Sequence, residues 1–464
     1  MDMLYKKLWQ LHILSFGGLL RWAECIMHEG FTLMALMRFA AHYYPDRTAL
    51  VDGRDRFSYR ELYEQSTNLS KELTAKHGLR SGMGVSMYCP NTAQSVIHLF
   101  ALSRLGLKIK LMEPDSATDI DRRRVKMFFR SSNSSSLQFF KTSIFHSSSI
   151  TTFTGGTSGN RHEATRPTSA CQFLPPLFAL LRVIGIDCYD SVFMPLPLFH
   201  GFGLATIIVA FLMGKKVCIM SHFDSDEALD IIRQERVEVL TLVPAMLARL
   251  WQRDGAESMM QSVRCIISGG DRLDRKWVDT TRCHLGDVLY NLYGTSEAGF
   301  FMIATPGDLS GCDEIPIGRP IDGVKCRVEA DGALWVRSGW AMNGLRHRWQ
   351  NTGDLVHKSD EGLYYHRGRA DRMVVCGGEN VYADHVESVV GEHPDVAAAV
   401  VYPVPDTSFG TVLHADVEVV PHSILTPEAL QEWLQPRLAR AERPHHISFR
   451  TITLLDTGKK KRQN

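Results

Sequence analysis

Between Lys215 and Val243 the chain changes period twice: the strand-like run "KKVCIM", then "SDEALDIIRQE" with apolar residues at helical spacing, then "VEVLTLV". A strand, a helix and a second strand in that order imply parallel pairing within a layered α/β body, which narrows the fold more than any other feature. Asp224 or Ser225 stands where the helix needs an N-cap. The same grammar appears in "TALVDGRDRFSYRELYEQSTNLSKELTAKHG", which reads as a strand, a Gly-containing turn and a helix from about Tyr59 carrying Leu62, Leu69 and Leu73. At 464 residues the chain can bury several cores.

Toward the C-terminus, from about Asp371, the pattern becomes α+β. "AAAVVYPV" and "LHADVEVV" are strand-like, and "TPEALQEWLQPRLA" places Thr426 as N-cap with Pro427 at the first helical position. The expected organisation is an N-terminal helical segment over residues 1–40, a large domain of mixed and parallel sheets flanked by helices over 41–370, and a small mobile domain over 371–464. A Ser-rich stretch, 131–150, reads as a linker inside the large domain. With a net charge of +1 and 22% charged residues, nothing marks nucleic acid as a partner. Ten cysteines without a C-x-x-C pair suggest reduced thiols in a cytoplasmic protein rather than a zinc site or a disulfide framework.

The opening "MLYKKLWQLHILSFGGLLRW" has two lysines before an apolar stretch, as a signal peptide would. His12 and Arg21 interrupt it, no small-x-small cleavage site precedes Cys25, and Leu4, Leu8 and Leu11 recur at helical spacing. The reading is an amphipathic helix lying on the protein or on a membrane surface.

Thr154, Gly155, Gly156, Thr157, Ser158 and Gly159 form a loop whose hydroxyls and closely approachable backbone N–H groups suit an anion. It lacks the G-K-[ST] of the P-loop NTPases, and alone it reads as an ordinary turn sooner than as a phosphate site. Further along come "IISGGDRL" with Gly269, Gly270 and Asp271, "NLYGTSEAG" with Tyr293, Gly294, Ser296 and Glu297, and "NTGDL" with Asp354. "HRGRAD" with Arg369 and Asp371, "CGGEN" with Gly377 and Gly378, and "DTGKKKR" with Lys459 complete the series.

In this order and spacing the series resembles the adenylate-forming superfamily, closest to bacterial acyl-CoA synthetases, over nearly the whole chain. The resemblance implies ATP-dependent activation of a fatty or aryl carboxylic acid to acyl-AMP, followed by transfer to CoA. It places the 154–159 loop on the ATP phosphates, with Thr157 also counted as catalytic, Tyr293 against adenine, and Gly294 and Ser296 beside the nucleotide. Gly269, Gly270 and Asp271 then line the adenine and acyl pocket. Glu297 would hold Mg²⁺, a hard ion suited to carboxylate oxygen. Asp354, an acceptor when ionised, would receive the ribose hydroxyls, with Arg369 beside it.

By the same resemblance, Lys459 reaches the substrate carboxylate and the α-phosphate, where a fixed ammonium stabilises developing charge. Asp371 is the hinge, and the Gly377–Gly378 pair lines a thiol tunnel. His200 in "PLFHGFG" occupies the place where amino-acid-activating relatives carry an aspartate for the substrate ammonium. Amino acids are therefore disfavoured, and the apolar run after it suits an acyl or aryl group. The family's loop ends in Pro-Lys-Gly where this chain has Arg161, His162 and Glu163, so Arg161 is the candidate replacement for the lysine charge. Two alternatives stay open: loading of an acyl carrier protein in place of CoA, and a homologue that binds nucleotide or acyl-adenylate with little turnover.

Overall fold

The computed structural model describes residues 3–113, 126–130, 147–154, 162–167, 174–311, 314–376, 379–406 and 410–452. It divides into two compact units, one formed by 1–241 with 296–299 and 339–347, the other by 242–295, 300–338 and 348–464.

The first unit opens with three helices, Met3–Gln10, Phe16–Glu29 and Leu33–Tyr43, where the sequence suggested one amphipathic segment. The break has a local cause. His12 adopts φ +59°, and the Ser15 hydroxyl accepts from the Gly18 amide at 3.0 Å, starting a new helix. Gly18 is required there, since a Cβ would lie 1.6 Å from the His12 carbonyl oxygen.

After Thr48–Asp52 comes a second short strand, Asp55–Ser58, paired antiparallel with it, where only a turn was expected. The helix then starts at Tyr59, as read. Ser58 and Glu61 close a capping box, and Gly78 ends the helix in the left-handed conformation, so both ends carry local stop signals. Leu62 and Leu73 face the core.

One sheet of this unit orders its strands Val239–Leu242, Ser191–Met194, Lys216–Ile219, Thr48–Asp52 and Asp55–Ser58. The two strands of the "KKVCIM…VEVLTLV" unit are thus not neighbours, because Ser191–Met194 lies between them and pairs parallel with both. The crossing helix, Ser225–Gln234, is capped by Asp224, whose carboxylate accepts from the Asp226 and Glu227 amides at 3.0 Å.

The other sheet runs Lys126–Arg130, Gly84–Tyr88, Lys108–Met112, Ser149–Thr154 and His162–Pro167. The Ser-rich stretch therefore ends inside a strand: Ile150 is buried and pairs with Ile109, because a β-branched residue at that position completes the sheet's apolar face. Residues 131–146 lie outside the described residues.

The second unit holds the strands Cys265–Gly269, Leu289–Thr295, Gly299–Ala304 and Arg319–Pro320, followed by a four-stranded antiparallel meander from Lys325–Val328 to Tyr364–Arg369. Its last part has the α+β form expected. Val396–Asp406, Gly410–Val419 and His446–Phe449 make a sheet, and the helices Ala383–Gly391 and Pro427–Leu434 add Val386, Val390, Leu430 and Leu434 to a core with Val401 and Leu413. Thr426 caps the second helix through the Ala429 amide at 3.2 Å. Among the described residues no helix is long and apolar enough to cross a membrane.

Candidate active site

In the first unit the Gly/Thr/Ser loop is bracketed by a hairpin. Ser149–Thr154 and His162–Pro167 pair antiparallel with Thr154 opposite His162, and the hydroxyls of Thr151 and Thr165 meet at 2.8 Å on the ladder. Gly155, Gly156, Thr157, Ser158, Gly159 and Arg161 lie outside the described residues. The backbone of Thr154 and His162 therefore fixes the two ends of the loop.

Beside this hairpin the turn after Thr295 is held from two sides. Arg166, on the second hairpin strand, donates through Nη2 to the Ser296 carbonyl and, at 3.4 Å, to the Glu297 carbonyl. The Met342 amide donates to the same Glu297 carbonyl at 2.8 Å, and the Asn343 amide to the Thr165 carbonyl at 3.1 Å. Burial holds the Arg166 guanidinium below its ordinary pKa even though the Glu297 charge acts the other way. Gly299 permits the turn: its φ is +78°, and a Cβ would come 2.9 Å from the Trp340 ring. Ser296 is exposed and Glu297 half-buried. Arg166 was not among the residues singled out from sequence. Its only sequence signal is a cation on the strand that leaves the loop.

In the second unit Tyr293, Asp354 and Arg369 come together. Asp354 sits on the strand Gln350–Lys358 directly opposite Arg369 on Tyr364–Arg369. Gly353, at φ +77°, turns the strand, and a Cβ there would meet the Arg369 guanidinium at 2.9 Å. Asp354 is only 6% exposed. It accepts from the Tyr293 hydroxyl, from Arg369 Nη1 at 3.3 Å and from His366 Nε2 at 3.4 Å, so its charge is matched inside the fold.

Burial and the neighbouring Asp354 carboxylate push the Tyr293 phenol well above its ordinary pKa, which keeps it a hydrogen-bond donor. The Tyr293 ring lies edge-on to Phe301 at 5.2 Å. Arg369 also forks onto the hinge candidate: Nε and Nη2 reach the two Asp371 oxygens at 2.9 and 3.0 Å. That pairing holds the Asp371 carboxyl below its usual range and raises the arginine.

Gly269 ends the strand Cys265–Gly269, in parallel register with Leu289–Thr295, and Gly270 opens the bend that follows. A Cβ at Gly269 would lie 2.7 Å from the Leu292 carbonyl oxygen, so this glycine lets the "GGD" strand approach the residue preceding Tyr293. Gly270 takes φ +87°, and Asp271 accepts from the Arg272 amide at 2.8 Å. Gly294 is exposed at the strand end.

In the first unit His200 immediately precedes the helix Gly201–Leu212, half-buried, its ring 4.6 Å from that of Phe199. Gly203 lets this helix pack, because a Cβ would come 2.4 Å from the Pro197 carbonyl oxygen. Gly377 and Gly378 fall between the paired Cys376 and Glu379 but lie, like Lys459, outside the described residues. Among the described residues no group of three or more His, Cys, Asp and Glu side chains is arranged to hold a metal ion.

Layered parallel sheets followed by a small α+β unit are the fold of the adenylate-forming enzymes. The chain belongs to the AMP-binding enzyme family: that family's model matches residues 37–138 and 146–345, and the AMP-binding enzyme C-terminal domain matches 385–461. It is 25% identical over 454 residues to the 2-succinylbenzoate–CoA ligase of Bacillus licheniformis, covering 87% of this chain and 93% of that one. To the ligase of the same name from Bacillus subtilis it is 24% identical over 453 residues, covering 86% and 90%.

Among solved structures, the o-succinylbenzoate CoA synthetase of Bacillus subtilis in complex with its acyl-adenylate OSB-AMP superposes with a TM-score of 0.72 at 22% identity. The match covers 92% of this chain and 96% of that one. An anthranilate CoA ligase in complex with anthranoyl-AMP gives a TM-score of 0.77 at 17% identity, covering 93% and 96%.

Proposed function

We propose that this chain is an AMP-forming acid–thiol ligase that activates an aryl or acyl carboxylic acid with ATP and passes it to CoA. The observation that carries the reading is the buried Asp354 carboxylate, which faces Arg369 across a hairpin and takes the Tyr293 hydroxyl. With three of its roughly four acceptor positions taken by Tyr293, Arg369 and His366, the carboxylate keeps one for a ribose hydroxyl of a nucleotide. The names of the relatives favour an aryl acid such as 2-succinylbenzoate.

In the first step a carboxylate oxygen of the acid attacks the α-phosphorus of ATP, the bond to the β-phosphate oxygen breaks, and acyl-AMP and pyrophosphate form. Lys459 contributes an ammonium to the charge building on the α-phosphate. The 154–159 loop takes the β and γ phosphates through its hydroxyls and amides, with Arg161 supplying the cation that His162 does not. Glu297 fits Mg²⁺ by the chemistry of its donor atoms. One carboxylate on a backbone held by Arg166 and Met342 suits an ion that takes few protein ligands and fills its shell from phosphate and water. Such an ion supplies charge neutralisation on the phosphates.

In the second step the CoA thiolate attacks the acyl carbonyl, the acyl–phosphate bond breaks, and AMP leaves. Asp371 acts as the hinge of a small domain beginning near it, which exchanges Lys459 for the Gly377–Gly378 segment between the steps. His200 lines the acyl pocket. The protein works in the cytoplasm, with the N-terminal helices as its peripheral contact with a membrane.

The test is acid-dependent ATP–pyrophosphate exchange over a panel that includes 2-succinylbenzoate, aryl acids and fatty acids, followed by addition of CoA. Exchange with at least one acid, its loss in Lys459→Ala and thioester formation with CoA are expected. Adenylate consumed by acyl carrier protein but not by CoA would assign the other acceptor. Nucleotide binding without exchange for any acid would refute turnover.

A further inference from the structure

The first two N-terminal helices precede the family match, which begins at residue 37, and they are fixed to the body rather than loosely attached. Glu29, at the end of the helix Phe16–Glu29, is 1% exposed and receives Arg104 Nε at 2.7 Å, the Tyr63 hydroxyl at 2.8 Å and Arg38 at 3.3 Å. Cys25 is fully buried, and the Trp22 ring stacks on Phe39 at 4.3 Å. Lys7, on the first helix, holds Asp187 at 2.9 Å.

The outer face of the same helix is also apolar. Phe16, Leu19, Leu20 and Met27 are 74, 51, 59 and 60% exposed, and Ala23 lies exposed among them. At about 100° per residue these five fall within an arc of roughly 100°, on the side away from Cys25 and Glu29. The only carboxylates on this helix are Glu24, paired with Arg21 and Arg38, and the buried Glu29, so the ridge presents no unpaired acid.

We propose that this ridge is a lipid-docking surface that lays the protein on a membrane through Phe16, Leu19, Leu20 and Met27. It gives residues and a mechanism to the peripheral placement proposed above, and it holds or fails independently of catalysis. A lipid interface accepts a single apolar helix face lying in its plane. A second copy fits less well. The four side chains offer on the order of 400 Å² per copy, against roughly 800 Å² per partner in a standard-sized interface. A protein groove would have to enclose a helix, whereas this one is held along its opposite face.

Because the ridge is apolar and its charges are paired, vesicle binding is expected to survive high salt. The experiment is co-sedimentation of the full chain with phosphatidylcholine–phosphatidylglycerol vesicles at low and high salt, for wild type and for the Leu20→Glu, Met27→Glu double variant. Both positions are exposed, so the melting curve and ATP–pyrophosphate exchange should match wild type. The double variant should lose vesicle binding by at least about tenfold. No co-sedimentation of wild type, or equal binding by the variant, would overturn the proposal. So would a wild-type dimer in light scattering that the same two changes dissolve, since the ridge would then belong to a second copy.

Discussion

Removing one atom, in Tyr293→Phe, separates the hydroxyl that holds Asp354 from the ring proposed to carry adenine. The ring and its edge contact with Phe301 stay, while Asp354 loses one of three side-chain donors and keeps Arg369 at 3.3 Å and His366 at 3.4 Å. A hydrogen bond to a charged group is worth about 1.5–3 kcal/mol, and the low end applies because Asp354 keeps Arg369 and His366 as donors. About 1.4 kcal/mol is tenfold in affinity.

The KM for ATP in pyrophosphate exchange should therefore rise about tenfold. The kcat should stay within about threefold of wild type, because charge develops at the α-phosphate and not at the ribose. That split is the signature of lost uniform binding. An unchanged KM would show that the hydroxyl does not orient a nucleotide contact. A large fall in kcat at constant KM would place its role in the chemical step, and either result refutes the assignment.

Arg166→Met should raise the Mg²⁺ concentration needed for half-maximal exchange by roughly tenfold, since two carbonyls of the Ser296–Glu297 turn lose a charge-assisted donor. A Mg²⁺ titration of the exchange rate checks it. Gly269→Ala should destabilise the second unit by about 1–3 kcal/mol, because its Cβ would meet the Leu292 backbone at 2.7 Å and neither strand can yield cheaply. Urea unfolding followed by far-UV circular dichroism and total tryptophan fluorescence, wild type against variant, reads this. Asp371→Asn tests the hinge ion pair by pH. Arg369 lowers the folded-state pKa of Asp371, so the pair's contribution is present above the unfolded carboxylate pKa and is lost as pH falls through the lower folded value. The stability difference between variant and wild type, from melting curves, should shrink toward zero over that acid range.

Local signals carried much of the architecture. Ser58 with Glu61, Gly78, Asp224 and Thr426 each bound a helix through contacts within a few residues, and they stand at the ends that the sequence indicates. What depends on distant partners was not legible. Periodicity could not show Ser191–Met194 inserting between Lys216–Ile219 and Val239–Leu242, because strand order is set by packing across the sheet. The N-terminal break at His12 needed the Ser15–Gly18 cap to be weighed against the leucine spacing.

At the candidate site, motif order pointed to Tyr293, Asp354 and Arg369 as a group, and the structure brings those three into contact. Arg166 escaped because its partners are carbonyls 130 residues away, and a backbone acceptor leaves no mark in sequence. Gly269, read as pocket lining, has a packing reason of its own in the close approach to Leu292.

The central claim is that a carboxylate oxygen of the acid attacks the α-phosphorus of ATP. An acid labelled with heavy oxygen in its carboxylate, turned over with ATP and CoA, tests it most directly by mass spectrometry of the products. The account predicts one labelled oxygen in AMP for each thioester formed and none in pyrophosphate. Label appearing in inorganic phosphate, or thioester formed with unlabelled AMP, would contradict it.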